Sequence, residues 1–284
     1  MYNFIFLLPL YNDWESLSIL LNKISEKMLE EKKTAEILIV NDFSKIKPKN
    51  FKKYKNINKI RILNLKENLG SQKAISVGLN YLNQNKQNSI ITILDSDGED
   101  DVNKIPIMIE EAEKNEDKVI VSTRTKRQEN IFFKLSYFLH KVLLLLFTLK
   151  WISYGNFSSF SSKQLKNILR NDSSWLAISS CIAKNCEVIK IKAERKKRLI
   201  GKSKLSAMGL IYHSLRVNAV FNSRALVISF LYSIILLTFY FQNYKWPIFI
   251  LILIVIYNVL LAIVFKINKQ KDFACSANLI DEIL

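Results

Sequence analysis

Cysteine is too scarce and too irregular in this chain to build with. The three present, Cys181, Cys186 and Cys275, are odd in number and show no paired spacing. That argues against a disulfide framework and a zinc pattern, and for a reducing compartment. Histidine is scarcer still: His140 and His213 each lie alone in apolar, helix-like surroundings, so they read as packed or interfacial side chains rather than ligands. No G-x-S-x-G elbow and no G-x-x-x-x-G-K-[ST] loop occurs, which removes the corresponding serine hydrolases and P-loop enzymes. Internal repeats and low-complexity linkers are also missing. The run from Phe4 to Leu10 has no basic n-region and no small-residue cleavage site, so it reads as a first strand and not as a signal peptide.

What is plentiful is positive charge and aliphatic surface. The formal net charge is +17, which suits an anionic partner such as a phosphate-rich ligand, a nucleic acid or an acidic membrane surface. Many of the lysines sit amid Asn and Ile, so a compositional habit accounts for the excess equally well. Aromatic and basic residues do not interleave on any one expected strand, and nucleic acid is therefore not expected as a partner. At 284 residues the chain has room for one or two domains of roughly 100–200 residues each.

Five runs rich in Ile, Leu, Val and Phe, at Phe4 to Leu10, Glu36 to Val40, Lys59 to Leu65, Ser89 to Leu94 and Lys118 to Val121, predict strands buried on both faces of a mostly parallel sheet. Helix-period segments lie between them: Trp14, Leu17, Leu21, Ile24 and Met28 share one face, as do Ile105, Met108, Ile109 and Ala112. Such alternation predicts an α/β fold of βαβ units. From Ile131 to Trp151 the chain is apolar but interrupted by Lys134, His140, Lys141 and Lys150. That pattern predicts an amphipathic helix, packed internally or lying in a membrane interface.

After Arg224 two apolar runs, Ala225 to Phe241 and Trp246 to Phe265, approach the roughly 20 residues needed to cross a bilayer. They predict a transmembrane hairpin. Arg216 and Arg224 precede it and Lys266, Lys269 and Lys271 follow, against Lys245 alone in the turn. The positive-inside rule then puts the large domain and the tail in the cytoplasm. The expected organisation is a large cytoplasmic domain over 1–205, a juxtamembrane segment over 206–223, spans over 224–241 and 246–265, and a cytoplasmic tail over 266–284.

Three strands close on polar loops that a parallel sheet would bring to one edge: Pro9-Leu10-Tyr11-Asn12-Asp13, Asn41-Asp42-Phe43-Ser44 and Asp95-Ser96-Asp97-Gly98-Glu99. Taken singly, Asn12 or Asp13 suits a helix cap and Asp42 a local turn. Taken together, they set carboxylates where an open α/β sheet binds its ligand. Asp95, Asp97 and Glu99 alternate, so an extended backbone would point them to one side at intervals of roughly 7 Å. Hard oxygen ligands grouped in this way suit Mg²⁺ or Mn²⁺ shared with substrate phosphates. An EF-hand is a poor match, because Gly98 stands fourth and Pro106 twelfth.

As an ordered set these residues resemble the family 2 glycosyltransferases of GT-A fold, especially the branch like dolichyl-phosphate mannose synthase and bacterial polyprenyl-phosphate sugar transferases. Pro9 to Asp13 resembles the family's P-x-Y-N-E loop, and Asn41 to Ser44 its nucleotide-contacting D-D-G-S. Asn68-Leu69-Gly70, continuing through Ala74 to Gly78, is similar to N-x-G-x-x-x-A-x-x-x-G. Asp95 to Pro106 resembles D-A-D-L-Q-D-P-P-E-x-I-P, with Glu99 in place of Gln. Arg124 and Arg127 resemble a basic pair after the next strand, and Arg198 to Lys204 resembles R-x-x-G-x-S-K. Two departures stand out. Asn41 replaces the first acid of its pair, and Tyr154-Gly155-Asn156-Phe157-Ser158 lacks both the Asp and the Arg of G-D-F-R-L.

The resemblance implies an inverting transfer of one sugar from a nucleotide sugar to a membrane-held acceptor, with polyprenyl phosphate as the first expectation. A lipid-linked glycan or other hydroxyl acceptor is the alternative, with Asp100 or Asp101 as base. A non-catalytic nucleotide-binding protein is the rival from another class. The implied donor-binding residues are Pro9, Tyr11, Asn12, Asp13, Asp42, Gly70, Lys73, Ser203 and Lys204. Asp95, Asp97, Arg124 and Arg198 are the implied catalytic set, and Asp95, Asp97 and Glu99 the metal ligands. No Q-x-x-R-W motif of processive synthases is present. A homo-oligomer is left open.

Overall fold

Near-continuous Ile, Leu and Val runs form strands because their β-branched and aliphatic side chains fill both faces of a covered sheet. In the computed structural model, which describes residues 2–46, 53–85, 88–124, 131–201, 207–268 and 276–284, the chain divides into two compact units. Met1–Gln128, Ser153–Lys204 and Gln270–Leu284 form the first, and Glu129–Ile152 with Leu205–Lys269 the second.

The first unit is built on a sheet that runs, in chain order, β1 (Asn3–Leu10), β2 (Ala35–Asn41), β3 (Ile57–Leu65), β4 (Ser89–Ile93), β5 (Lys118–Arg124), β6 (Tyr154–Ser161), β7 (Glu187–Ala193) and β8 (Ile280–Ile283). Its spatial order is β7-β5-β6-β4-β1-β2-β3-β8. Strands β1 to β4 pair in parallel, as does β5 with β7, whereas β6 and β8 are antiparallel to their neighbours. The helices α1 (Trp14–Glu30), α2 (Ser71–Asn85) and α3 (Ile105–Lys114) connect the parallel strands. The expected apolar faces of α1 and α3 are buried, from Trp14 to Met28 and from Ile105 to Ala112.

Strand β1 is where the order reverses, since β2 lies on one side and β4 on the other. Its pairing with β2 continues to Leu10 opposite Asn41, but its pairing with β4 stops at Leu7 opposite Ile93. Beyond Leu7 the two strands part, which is where a doubly wound sheet opens a crevice. Pro9 fits that parting. It shares with Leu7 the β4-facing edge of the strand, and a residue without an N–H is tolerated where no ladder partner remains.

Three strands had no counterpart in the apolar pattern. Strand β6 reads as polar, yet Ser158, Ser159 and Ser161 are fully buried. Their hydroxyls are met locally: Ser159 Oγ lies 2.8 Å from Thr92 Oγ1, and Ser158 donates to the Asn156 carbonyl. Short helices α5 (Leu165–Ile168) and α6 (Ile178–Asn185) lead on to the half-exposed β7. The segment expected as a cytoplasmic tail supplies β8, which lies along β3 through paired Ile62 and Leu284 backbone bonds of 2.9 and 3.0 Å. An added strand satisfies an edge that would otherwise expose unpaired N–H and C=O groups. Residues 129–152, inside the expected domain over 1–205, group with the second unit.

That second unit contains α4 (Ile131–Thr148), α7 (Ala207–Ala219), α8 (Asn222–Phe241) and α9 (Pro247–Ile267). Helices α8 and α9 have 20 and 21 residues and are apolar enough to cross a membrane. At 1.5 Å per residue each is about 30 Å long, the thickness of the hydrocarbon core. Asn258 Nδ2 donates to Ser229 Oγ at 2.8 Å, tying the two helices together at mid-length.

Gly78 marks the tightest approach of α2 to the sheet. A Cβ at that position would lie 2.4 Å from Leu7 Cδ1 and 2.8 Å from Val40 Cγ2, both in fully packed core. Gly78→Ala is therefore expected to destabilise the protein by about 1–3 kcal/mol through overpacking, despite alanine's better helix propensity. Thermal unfolding of the full chain in detergent checks this; an unchanged or raised midpoint refutes it.

Candidate active site

Hydrogen bonds between loops fix the rim of the crevice. Asn12 sits in left-handed backbone, with φ of 58°. Its N–H donates to Ser44 Oγ at 2.8 Å, and its Oδ1 accepts the Ile46 N–H at 3.2 Å. The indole of Trp14 donates to the Ile46 carbonyl at 2.8 Å. Asn41 Nδ2 donates to Asn64 Oδ1 at 2.7 Å, while Asn41 Oδ1 accepts the Ser44 N–H at 3.1 Å. The loops after β1 and β2 are thereby stapled to each other.

Asp42 reaches the next loop. Its two carboxylate oxygens accept the N–H groups of Leu69 and Gly70 at 2.7 and 2.9 Å. Burial pushes its pKa up, against the pull of those two donors. Gly70 has a φ of 84°, which suits glycine at this turn. The residue expected to contact nucleotide is here a clasp on the loop that opens α2.

The loop after β4 carries the densest charge. Asp95 Oδ1 accepts from Asn156 Nδ2 at 3.0 Å. Asn156 Oδ1 in turn accepts from Gln72 Nε2 at 3.1 Å, and Gln72 Oε1 accepts the Ile178 N–H at 2.9 Å. Asp97 Oδ1 accepts the Glu99 N–H at 3.1 Å, and its Oδ2 lies 3.3 Å from Arg198 Nη1. The other arm of Arg198 pairs with Asp13, and its Nε donates to the Ile200 carbonyl at 3.0 Å. One guanidinium thus joins the β1 loop to the β4 loop.

Residues 195–199 lie along this loop. The Lys196 N–H donates to the Glu99 carbonyl at 2.8 Å, and the Leu199 N–H to the Asp97 carbonyl at 3.1 Å. Gly98 makes the approach possible: its φ is 74°, and a Cβ would lie 2.3 Å from Leu199 Cδ1. Glu99 is turned to Arg195, which donates to it through Nε and Nη2.

That last pairing corrects the expected metal trio. Among the described residues no group of three His, Cys, Asp or Glu side chains is placed to hold a metal ion. Asp95 and Asp97 do act on each other. Burial, and next the charge of Asp95, push the Asp97 carboxyl up to about 6. Two carboxylates match what a protein commonly gives Mg²⁺, whose remaining positions go to water and phosphate oxygens. The donor set fits a divalent ion with Asp95 and Asp97 as ligands and without Glu99.

The remaining expected residues fall in several places. Pro9 is buried at the end of β1, and Tyr11 is half-buried in the loop that follows. Lys73 Nζ lies 5.0 Å from the centre of the Trp175 ring. Arg124 ends β5 beside Ala193. Arg127, Ser203 and Lys204 lie outside the described residues. Asp100 and Asp101, offered as bases, serve local structure: Asp100 accepts the Asp95 N–H at 3.2 Å, and Asp101 accepts the Asn103 N–H and pairs with Lys196 at 2.9 Å. Gln72 and Arg195 were not anticipated. Arg195 belongs to the same basic run as Arg198, and that run is the one signal that pointed to it.

A carboxyl whose pKa rises on folding disfavours the ionised folded state. For Asp97 the penalty is absent below about pH 4, grows as pH rises toward 6, and is complete above that. Asp97→Asn should therefore stabilise the metal-free protein by ~1–3 kcal/mol at pH 7.5. That gain should fade as pH falls from 6 toward 4. Paired melting curves at the two pH values check the sign, and a gain that grows on acidification refutes it.

Comparison with known proteins agrees with this architecture. The profile of the family described as Glycosyl transferase family 2 matches residues 6–189. A glycosyltransferase of Synechocystis sp. is 30% identical over 131 residues, covering 45% of this chain and 39% of its own. The glycosyltransferase YkcC of Bacillus subtilis is 30% identical over 128 residues, covering 44% and 38%. The matches therefore span about two fifths of the length of these curated relatives. Among solved structures, glucosyl-3-phosphoglycerate synthase from Mycobacterium tuberculosis, in complex with Mn²⁺ and UDP-glucose, superposes with a TM-score of 0.53 at 11% identity, covering 79% of each chain. At that identity the likeness speaks for the fold. With the matched stretch taking in the crevice, its acidic loops and well over half of the sequence, the chain belongs to glycosyl transferase family 2.

Proposed function

We propose that the protein transfers one sugar, with inversion, from a nucleoside-diphosphate sugar to a membrane-held lipid phosphate of the polyprenyl type. The observation that carries the proposal is the pair Asp95 and Asp97, set at the parting of β1 and β4 and braced by Arg198. The Mn²⁺ and UDP-glucose held by the mycobacterial protein of the same fold support a donor of this class.

A divalent ion on Asp95 and Asp97 would offset the negative charge that gathers on the departing diphosphate. The chain's own residues do the rest. Asn156 holds Asp95 in one orientation, and Asp42 holds the turn at Leu69–Gly70 beside the crevice. Arg198, fixed by Asp13 and Asp97, keeps a guanidinium at the rim, where its planar fork suits phosphate oxygens.

A lipid phosphate is already ionised at neutral pH and needs little help from a base. The commitment of Asp100 and Asp101 to local bonds favours that acceptor over a hydroxyl. The two apolar helices support attachment to a membrane. The bias of Arg216, Arg224 and Lys266 against Lys245 supports a cytoplasmic catalytic unit.

Three measurements test the proposal. Asp97→Ala should lower release of nucleoside diphosphate by 10²-fold or more, the order seen when one electrostatic stabiliser is removed, while the fold is retained. EDTA should abolish turnover of the wild type, and Mn²⁺ or Mg²⁺ should restore it; undiminished turnover in EDTA rejects the metal role. The product from a lipid extract should be cleaved by mild acid, as a glycosyl phosphate is. An acid-stable glycoside would assign a hydroxyl acceptor instead.

A further inference from the structure

The helical unit is unusual in its charge. From 131 to 152 and from 207 to 268 the sequence has no Asp or Glu, while it carries Lys134, Lys141, Lys150, Arg216, Arg224, Lys245 and Lys266. Apart from Lys245 in the turn, the charges on α7, α8 and α9 gather at one end of the hairpin. Arg224 opens α8, Lys266 closes α9, and Arg216 is in the last turn of α7.

Helices α4 and α7 are fastened to that same end. Arg224 Nη1 donates to the Thr148 carbonyl at 3.3 Å, and Tyr232 donates to the Leu146 carbonyl at 2.9 Å, so α8 caps the C-terminal turn of α4. His140 Nδ1 lies 2.6 Å from Ser214 Oγ, joining α4 to α7, and Asn268 Nδ2 donates to the Tyr212 hydroxyl at 3.0 Å, joining α9 to α7.

Both attached helices show apolar side chains outward. Phe138 and Leu139 on α4 and Met208 and Ile211 on α7 are each more than half exposed. Beside them Lys141 Nζ lies 4.5 Å from the Tyr137 ring and 5.1 Å from the Trp151 ring. Aromatic rings beside basic groups are the composition of a membrane–water interface. A groove of about 280 Å³ lies between α4, α8 and α9, walled by Leu146, Phe147, Tyr232, Leu236, Ile250 and Ile254. Its one polar group, the Tyr232 hydroxyl, is spent on Leu146.

We propose that α4 and α7 form an interfacial collar that selects anionic phospholipid, with headgroup phosphates against Lys141, Lys150 and Arg224 and an acyl chain in the groove. Charge complementarity carries the argument. Helices that carry basic and no acidic side chains at the headgroup level meet their counter-ions in the lipid, and an apolar groove at membrane depth is filled by hydrocarbon. The proposal rests on α8 and α9 crossing the bilayer and is independent of the reaction catalysed.

Electron spin resonance tests it, with the full chain in phosphatidylcholine vesicles and either spin-labelled phosphatidylglycerol or spin-labelled phosphatidylcholine as probe. Phosphatidylglycerol should be restricted in preference, by roughly fivefold for each basic residue engaged. That preference should collapse in 1 M NaCl, where the screening length is about 3 Å. The double variant K141Q/K150Q should lose most of it, while K245Q keeps it. Equal restriction of the two lipids, or a preference untouched by K141Q/K150Q, overturns the collar. Absence of any restricted lipid overturns the membrane crossing as well.

Discussion

Arg198 bridges Asp13 and Asp97, and that bridge is what allows acidic loops from two strands to share one crevice. Two like charges about 4 Å apart interact by roughly 4 kcal/mol at an effective dielectric near 20, so carboxylates brought together without a cation would push the loops apart. The guanidinium removes part of that cost; the raised pKa of Asp97 records burial first and, after it, the charge of Asp95 on the same loop. Stored charge of this kind suits the proposed binding of a cation and a diphosphate, because each would relieve the charge left by the other.

The bridge depends on backbone far from it in sequence. Residues 195–199 reach the β4 loop because the carbonyls of Asp97 and Glu99 accept their N–H groups and because Gly98 leaves room for Leu199. Arg195 takes Glu99 along the same segment. The third carboxylate of the β4 loop thus serves to dock the strap that carries Arg198. The division of labour is one of partners: Asp95 is held by Asn156, Asp97 by Arg198 and Glu99 by Arg195.

Period and loop chemistry made the parallel half of the fold legible. Long apolar runs announced β1 to β5, and helical spacing announced the buried faces of α1 and α3. Strand β6 stayed hidden because its buried positions are serines, and hydroxyls satisfied by Thr92 and by local carbonyls leave no apolar signature. Strand β8 stayed hidden because four residues beyond two long apolar helices carry no period, and their pairing with β3 is a long-range event. In the site, alternation of Asp95, Asp97 and Glu99 drew attention to the loop but did not give its geometry. Gly98 turns the chain, and partners a hundred residues away decide which carboxylate faces where. Gln72 was invisible for a related reason, since a buried amide is recognised only when its donors and acceptors are seen together.

The two asparagines that depart from the family's acidic pattern make sense in the same terms. A carboxylate is an acceptor alone, whereas an amide both accepts and donates. At position 156 the amide donates to Asp95 and accepts from Gln72, so it passes the orientation of a buried helix residue on to an acidic side chain without adding a charge. An aspartate there would face Asp95 with no proton to offer and would add a further like charge beside it. At position 41 the amide donates to Asn64 and accepts from Ser44, which fastens the β2 loop to β3 on one side and to itself on the other. Both substitutions exchange negative charge for fixed geometry in a crevice already crowded with carboxylates. Asp95 and Asp97 are left as the charged centre, and the residues around them act to hold that centre still.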